Sequence, residues 1–309
     1  MPLKSSKHFL LAKALLVIIA IAVGALWIFN AMTWRRQAQS YSGHPDGSIQ
    51  FVTVEPGVRV EVVDFGGTGR PVVLLAGYNG TAHDFGRFAV ELTLRYHVYG
   101  ITRRGWDAGC TPCRGYSAHQ LGADVVAVID SLKLSRPVLI GSSFAGEEMS
   151  SVANEHPDKI AGAVYLDAGE TYALYDEKDG SRQMDVARRV KWLTAPIPAE
   201  LLPRIISMTA GMEKFTTIPV PVLAIFAEPH DLGSRFKDDP ARLAKTEAVD
   251  ADRVERQASA FERQVKICRV IRIPHASHLI FKSNEEEVLR AILEFVSGLP
   301  AANPAGLAH

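Results

Sequence analysis

The chain has few cysteines and no excess of charge of either sign. Its three cysteines, Cys110, Cys113 and Cys268, are an odd number, which argues against a disulfide framework. Lys and Arg together number 34, as do Asp and Glu, so no net charge suggests a nucleic acid or a strongly charged substrate as partner. Internal repeats and long low-complexity tracts are also missing. The composition therefore indicates a globular domain. Whether Cys110 and Cys113 form a local disulfide is left open by the sequence, and Cys268 is expected to be a small core residue.

The first 33 residues differ from the rest of the chain. Residues 14–32 carry no charge and only one polar side chain, Asn30, and the stretch is long enough to span a membrane as a helix. The short basic segment before it favours an N-terminus in the cytoplasm, although Arg35 and Arg36 oppose this. We expect residues 1–33 to be a membrane anchor and the following domain to be periplasmic or extracellular. A signal peptide cleaved at residues 23–25 is the alternative.

The remainder divides into a linker at 34–48, one α/β domain at 49–298 and a disordered tail at 299–309. Short β-branched runs predict strands at 50–54, 58–64, 71–76, 97–102, 137–140, 162–166, 220–226 and 268–273. From residue 71 onward helical stretches separate most of these runs, which predicts a mainly parallel sheet covered by helices on both faces. The first two runs have no helix between them and predict an antiparallel hairpin at one edge.

Two helix starts and one insertion are marked by local patterns. Residues 117–120 and 283–286 both have the form of a capping box, and an apolar stripe with helical spacing follows each one. Residues 168–218 interrupt the alternation of strands and helices with mixed charges and prolines. Ligands of open α/β sheets bind outside the carboxyl ends of the strands, so we interpret about 168–218 as a small lid over that edge.

A serine stands at the most informative position of the chain. The apolar run 138–140 is followed by Gly141, Ser142, Ser143 and Phe144, and a helical pattern begins at once. Small residues are needed here because neighbouring backbone comes close. The pattern predicts a strand–turn–helix elbow that presents the hydroxyl of Ser143 at the end of a strand, above the N-terminus of a helix.

Three further motifs follow strands in a characteristic order. In residues 72–80, an apolar strand is followed by a glycine-rich loop. The sequence Ala-Glu-Pro-His-Asp at 227–231 follows the strand at 220–226. The sequence Pro-His-Ala-Ser-His at 274–278 follows the last strand. Together with the serine elbow, these motifs resemble the α/β-hydrolase family over residues 50–298. The resemblance implies the α/β-hydrolase fold, a mostly parallel sheet with helices on both faces and a small lid.

The resemblance also implies a role for each site residue. Ser143 is the expected nucleophile, His278 the general base, with His275 as the alternative, and Asp231 the triad acid. The backbone N–H groups of Tyr78 and Phe144 are the expected oxyanion donors. Two other residues are alternatives for the triad acid. They are Asp167, at the end of the preceding strand, and Glu228, in the same loop as Asp231.

The function expected from these residues is serine hydrolysis of a carboxylic ester or related acyl bond in a small molecule, without a cofactor. A serine aminopeptidase or acyltransferase would share the motifs, and a non-catalytic, membrane-tethered binding protein is the alternative outside enzymes. A metal site is not expected, since His and Asp residues of the two late loops are too sparse for a recognised ligand set. These residues are His230, Asp231, His275 and His278.

Overall fold

An eight-stranded sheet forms the centre of the molecule. The computed structural model describes residues 47–78, 80–106, 115–168 and 217–300. The strands are β1 (Ser48–Glu55), β2 (Val58–Gly66), β3 (Pro71–Leu75), β4 (His97–Thr102), β5 (Val138–Ser142), β6 (Gly162–Leu166), β7 (Val222–Ala227) and β8 (Cys268–Ile273). The eight strands predicted from the β-branched runs are therefore confirmed, with shifts of at most two residues at either end.

The strands lie in the order β1-β2-β4-β3-β5-β6-β7-β8. β2 pairs antiparallel with β1 and with β4, and every other neighbouring pair is parallel. Parallel neighbours need a long crossover, whereas the two-residue connection between β1 and β2 suffices only for a hairpin. The mostly parallel sheet and the antiparallel hairpin at its edge are both confirmed.

Helices cover the two faces of the sheet. They are α1 (Gly86–Thr93), α2 (Ala118–Ser131), α3 (Ala145–Glu155), α4 (Pro240–Gln264), α5 (Ile280–Ser283) and α6 (Glu285–Ser297). One core contains residues of α2, α3 and α4, and the other contains residues of α1, α5 and α6. Within β3, Val73 and Leu75 belong to the first core and Val72 and Leu74 to the second. Because both faces are buried, the central strands are continuous apolar runs, without polar alternation.

Only one of the two expected capping boxes supplies a side-chain cap. The hydroxyl of Ser117 accepts a hydrogen bond from the backbone N–H of Gln120 at 3.2 Å, and α2 begins at the next residue. The second prediction is wrong, since α6 begins after Asn284, which makes no side-chain cap. The hydroxyl of Ser283 instead accepts from the N–H of Ser277 at 3.1 Å. Ser283 therefore holds the loop that precedes His278.

Several expected segments lie outside the described residues. They are the anchor at 1–33, most of the linker at 34–48, most of the lid at about 168–218, most of the tail at 299–309, and Cys110 with Cys113. Within the part of the chain that the structure describes, no helix combines the length and apolar character needed to cross a membrane. Cys268 in β8 is a free thiol packed against the core, and burial raises its pKa to about 12.

Candidate active site

Ser143 occupies a tight turn between β5 and α3. β5 ends at Ser142, α3 begins at Ala145, and Ser143 has a φ of 54°. This left-handed conformation is uncommon for residues other than glycine and costs of the order of 1 kcal/mol or more. Its backbone N–H donates to the carbonyl of Leu166 in β6 at 3.2 Å. The predicted strand–turn–helix elbow with Ser143 at its apex is confirmed.

Two glycines allow this turn to pack tightly. A Cβ atom on Gly141 would lie 2.7 Å from the sulfur of Met149 and 2.8 Å from the Cβ of Ala145. A Cβ atom on Gly146 would overlap the backbone carbonyl oxygen of Ala168. The first turn of α3 therefore lies directly against the chain that leaves β6, and this contact places Asp167 beside the elbow.

Replacing Gly146 by alanine is expected to destabilise the protein by about 3 kcal/mol, since backbone atoms cannot move aside as a flexible side chain can. Gly86, at the start of α1, is the matched control, because nothing lies within 4 Å of a Cβ atom there. Gly86→Ala is expected to be neutral or stabilising by up to about 1 kcal/mol. Guanidinium unfolding followed by tryptophan fluorescence compares the two variants. Equal unfolding midpoints would show that the elbow is not packed as described.

Ser143, His278 and Asp167 form a continuous line of hydrogen bonds. The Ser143 Oγ lies 2.7 Å from the His278 Nε2, and the His278 Nδ1 lies 2.5 Å from the Asp167 Oδ2. Asp167 directly follows β6, and His278 lies in the loop between β8 and α5. The expected pairing of Ser143 with His278 is thus present in the structure, 135 residues apart in the chain.

The expectation that Asp231 supplies the carboxylate beside His278 is wrong. Its side chain is exposed, and its Oδ1 accepts a hydrogen bond from the N–H of Gly233 at 3.0 Å. The alternative Glu228 lies 3.3 Å from Arg272, and His275 is exposed in the turn after β8. The loop after β7 turns Asp231 outward because the residue before it, His230, fills the space next to Asp167.

His230 is a functional candidate that the sequence motifs did not identify in this role. Its Nε2 lies 2.6 Å from the Asp167 Oδ2, the same oxygen that contacts His278. Its Nδ1 and its backbone nitrogen lie 2.7 and 2.9 Å from the Asp250 Oδ2 in α4. Burial lowers the pKa of His230, but the hydrogen bonds and charges of Asp167 and Asp250 outweigh it and raise the pKa to about 9.

The same contacts determine the ionisation of Asp167. Its side chain is buried, and burial alone would raise its pKa. Hydrogen bonds from His230 and His278, together with their charges, reverse this effect and hold the pKa at about 2. The backbone N–H of Ala227 lies 3.3 Å from the Oδ1. Asp167 is therefore an anion at neutral pH, and it faces two imidazoles at once.

The nitrogen and oxygen atoms of Asp167, His230 and His278 lie within 4.8 Å of one another, which is close enough for a metal ion. The contacts favour a hydrogen-bonded network instead, because both imidazoles point at one carboxylate oxygen at 2.5 and 2.6 Å. A protonated His230 also has no lone pair for a metal. Of the four residues considered as ligands from the sequence, Asp231 and His275 lie outside this cluster.

The glycine-rich loop after β3 lies beside the serine. A Cβ atom on Gly77 would be 3.3 Å from the Cβ of Ser143, so this loop passes directly over the elbow. The ring of Tyr78, the next residue, meets that of Phe144 edge to face at 6.2 Å between centroids. The structure thus brings Ser143 and both expected oxyanion residues, Tyr78 and Phe144, into one place.

A buried ion pair fastens this loop to α3. Arg103 donates to the carbonyls of Ala76 and Gly77 at 2.8 and 3.2 Å, and to the Glu148 carboxylate at 2.6 and 3.1 Å. Both side chains are 4% exposed, and burial raises the pKa of Glu148 against the opposing charge of Arg103. Since removing one partner of such a pair leaves an uncompensated buried charge, the pair holds the loop and the helix in a single arrangement.

Comparisons with known proteins agree with this architecture. Epoxide hydrolase A of Mycobacterium tuberculosis is 31% identical over 36% of this chain and 35% of its own length. Fluoroacetate dehalogenase of a Burkholderia species is 28% identical over 37% of this chain and 39% of its own. The matched segments thus span little more than a third of these relatives. A thermophilic esterase from Thermogutta terrifontis superposes with a TM-score of 0.58 at 19% identity, covering 81% of this chain and 98% of that structure.

The family itself follows from a broader match. The model described as "Alpha/beta hydrolase family" matches residues 72–291, which is more than half of the chain. This region begins in β3, includes the serine elbow and extends beyond His278 into α6. The order of strands, the turn at Ser143 and the family match lead to one conclusion: the chain belongs to the alpha/beta hydrolase family.

Proposed function

We propose that the protein is a serine hydrolase that cleaves carboxylic esters through an acyl-enzyme on Ser143. The observation that carries the proposal is the 2.7 Å contact between the Ser143 Oγ and the His278 Nε2, with the opposite ring nitrogen on Asp167. A neutral hydroxyl is a weak nucleophile near pH 7, and a base in contact with it is what the reaction requires.

In the proposed reaction, His278 removes the proton of Ser143 as the Oγ attacks the ester carbonyl. The Nδ1–H of His278 donates to Asp167, which selects the tautomer with a free Nε2 lone pair and stabilises the imidazolium that forms. The proton then passes from Nε2 to the departing alkoxide. Water, deprotonated by His278, cleaves the acyl-enzyme and restores the serine.

The backbone N–H groups of Tyr78 and Phe144 are the proposed donors to the tetrahedral oxyanion. Their support is positional, because the loop of Gly77 and the elbow pack against each other at Ser143. Each preorganised donor of this kind typically lowers the barrier by about 3 kcal/mol. The Arg103–Glu148 pair would preserve the distance between these two N–H groups, since it ties the carbonyls of the glycine-rich loop to the helix that begins beside Phe144.

An ester is the favoured substrate because the amino-acid sequence shows no charged specificity signature. The named relatives include an epoxide hydrolase and a dehalogenase, so family membership leaves the reaction to be argued from the site. A serine aminopeptidase or an acyltransferase remains the alternative on the same triad. The proposal includes attachment to a membrane through residues 1–33, on the strength of their apolar sequence.

A fluorophosphonate probe tests the proposal on the full-length protein. The probe is expected to label the wild-type protein on Ser143, with the mass increase located on the peptide that contains this residue, and p-nitrophenyl acetate is expected to be hydrolysed. Unfolded protein is the control and is expected to stay unlabelled, and a chelator is expected to change neither result. Label on another residue, or no label with no hydrolysis, would favour a non-catalytic binding protein instead.

A further inference from the structure

His230 stands between two carboxylates that lie on different elements. Its Nε2 is 2.6 Å from Asp167 at the end of β6, and its Nδ1 is 2.7 Å from Asp250 in α4. A neutral imidazole carries one N–H and can donate to only one of these acceptors, whereas the imidazolium can donate to both. The proposed reaction with Ser143, His278 and Asp167 does not use this histidine, so its place in the network requires its own explanation.

We propose that His230 is a positioning residue which, as an imidazolium, clamps Asp167 in the orientation that His278 needs. The inference rests on the proposed serine hydrolysis. Both histidines bind the same oxygen of Asp167, so a rotation of that carboxylate would disturb both contacts together. The hydrogen bond from His230 opposes such a rotation, and Asp250 in turn fixes the ring of His230.

The charges around His230 support a cationic ring. Within the described ranges, the groups that face it are Asp167 after β6, Asp250 and Arg253 of α4, and His278 after β8. Arg253 contacts the other oxygen of Asp250 at 2.7 Å and so holds this carboxylate toward the ring. Two anions in direct contact stabilise the imidazolium more strongly than the more distant Arg253 and His278 destabilise it.

The clamp has a consequence for the pH dependence of the reaction. The pKa of His230 is raised to about 9, since the two carboxylates outweigh its burial. As the pH rises through this value, the ring loses one N–H and can no longer donate to both Asp167 and Asp250. The value of kcat is therefore expected to fall above about pH 9 with a single ionisation.

His230→Gln removes the titration while keeping an amide that can contact Asp167. Its kcat for p-nitrophenyl acetate is expected to drop by about tenfold to a hundredfold at pH 7.5, as for a misplaced catalytic group, with KM within about twofold. The decline above about pH 9 is expected to disappear. His119→Gln is the matched control, since His119 pairs with Glu155 on the exposed surface, and its profile is expected to match the wild type.

Asp250→Asn provides a second variant that changes the clamp without removing it. The asparagine oxygen can still accept from His230, but the negative charge that favours the imidazolium is lost. The pH above which kcat declines is therefore expected to fall by about one unit. An unchanged pH for this decline would show that another group controls it and would overturn the inference.

The charge of His230 can also be measured directly in the wild-type protein. Nitrogen NMR of histidine-labelled protein, with the His230 signals assigned by their loss in His230→Gln, is expected to show both ring nitrogens protonated at pH 7.5. A neutral His230 at that pH, or identical pH profiles for wild type and His230→Gln, overturns the clamp alone if Ser143 is labelled by the fluorophosphonate probe. Absence of that label from Ser143 overturns the proposed function and the clamp with it.

Discussion

Ser143→Ala is expected to lower kcat for p-nitrophenyl acetate by about six orders of magnitude, the size of effect that loss of the triad serine has in the serine protease subtilisin. The variant keeps His278 and Asp167 in place but removes the atom that we propose attacks the carbonyl. Because alanine at a φ of 54° is strained much as serine is, the elbow is expected to keep its shape. Labelling by the fluorophosphonate probe is expected to vanish with the activity.

Ser142→Ala is the matched control for this experiment. Ser142 is the preceding residue and is buried, and its hydroxyl has no hydrogen-bond partner among the residues that the structure describes. Removing it is expected to leave kcat within about twofold of the wild type, since the change leaves no hydrogen-bond donor or acceptor without its partner. Persistent labelling of Ser143→Ala, or an equal loss in Ser142→Ala, would contradict the assignment of the nucleophile.

Asp167→Asn is expected to lower kcat by about four orders of magnitude. The amide group would present an N–H where His278 now donates, which favours the tautomer whose Nε2 cannot accept the proton of Ser143. It would also provide no charge to stabilise the imidazolium in the transition state. Asp167 has a φ of 50°, a conformation in which Asn is tolerated as well as Asp, so the backbone is expected to stay in place.

Asp231→Asn separates the two candidate acids. Asp231 is exposed, and its carboxylate accepts a hydrogen bond from the N–H of Gly233. The side-chain oxygen of asparagine can accept the same hydrogen bond. Its kcat is therefore expected to stay within about twofold of the wild type, as for most surface substitutions. Steady-state rates of the two variants on the same ester compare them directly. A large loss in Asp231→Asn with an active Asp167→Asn would return the role of the acid to Asp231.

The elements of the sheet and the serine elbow could be predicted because their signals are local. Strand runs, the cap of Ser117 and the small residues around Ser143 each act within a few positions of the chain, where steric limits and hydrogen bonds leave few alternatives. The second capping box failed for a tertiary reason. The hydroxyl of Ser283 serves the loop before His278 and does not cap the helix that follows it.

The acid could not be chosen by chain order, because Asp167 and Asp231 both lie between Ser143 and His278 and both follow a strand. The sheet order does not decide between them either. β6 is the neighbour of β5, which leads to Ser143, whereas β7 is the neighbour of β8, which leads to His278. Only the path of the loop after β7 shows that His230, and not Asp231, turns inward against that carboxylate.

Residue pattern alone specifies the strands, the start of the helix after Ser117 and the serine elbow, because hydrophobic periodicity and turn chemistry depend on near neighbours. Tertiary structure alone places Asp167 beside His278, pairs Arg103 with Glu148 and encloses His230 between two carboxylates. Each of these contacts joins residues that lie 20 or more positions apart in the chain. Their energies depend on burial and on which charges meet, and both are defined only when the strands have assembled into one sheet.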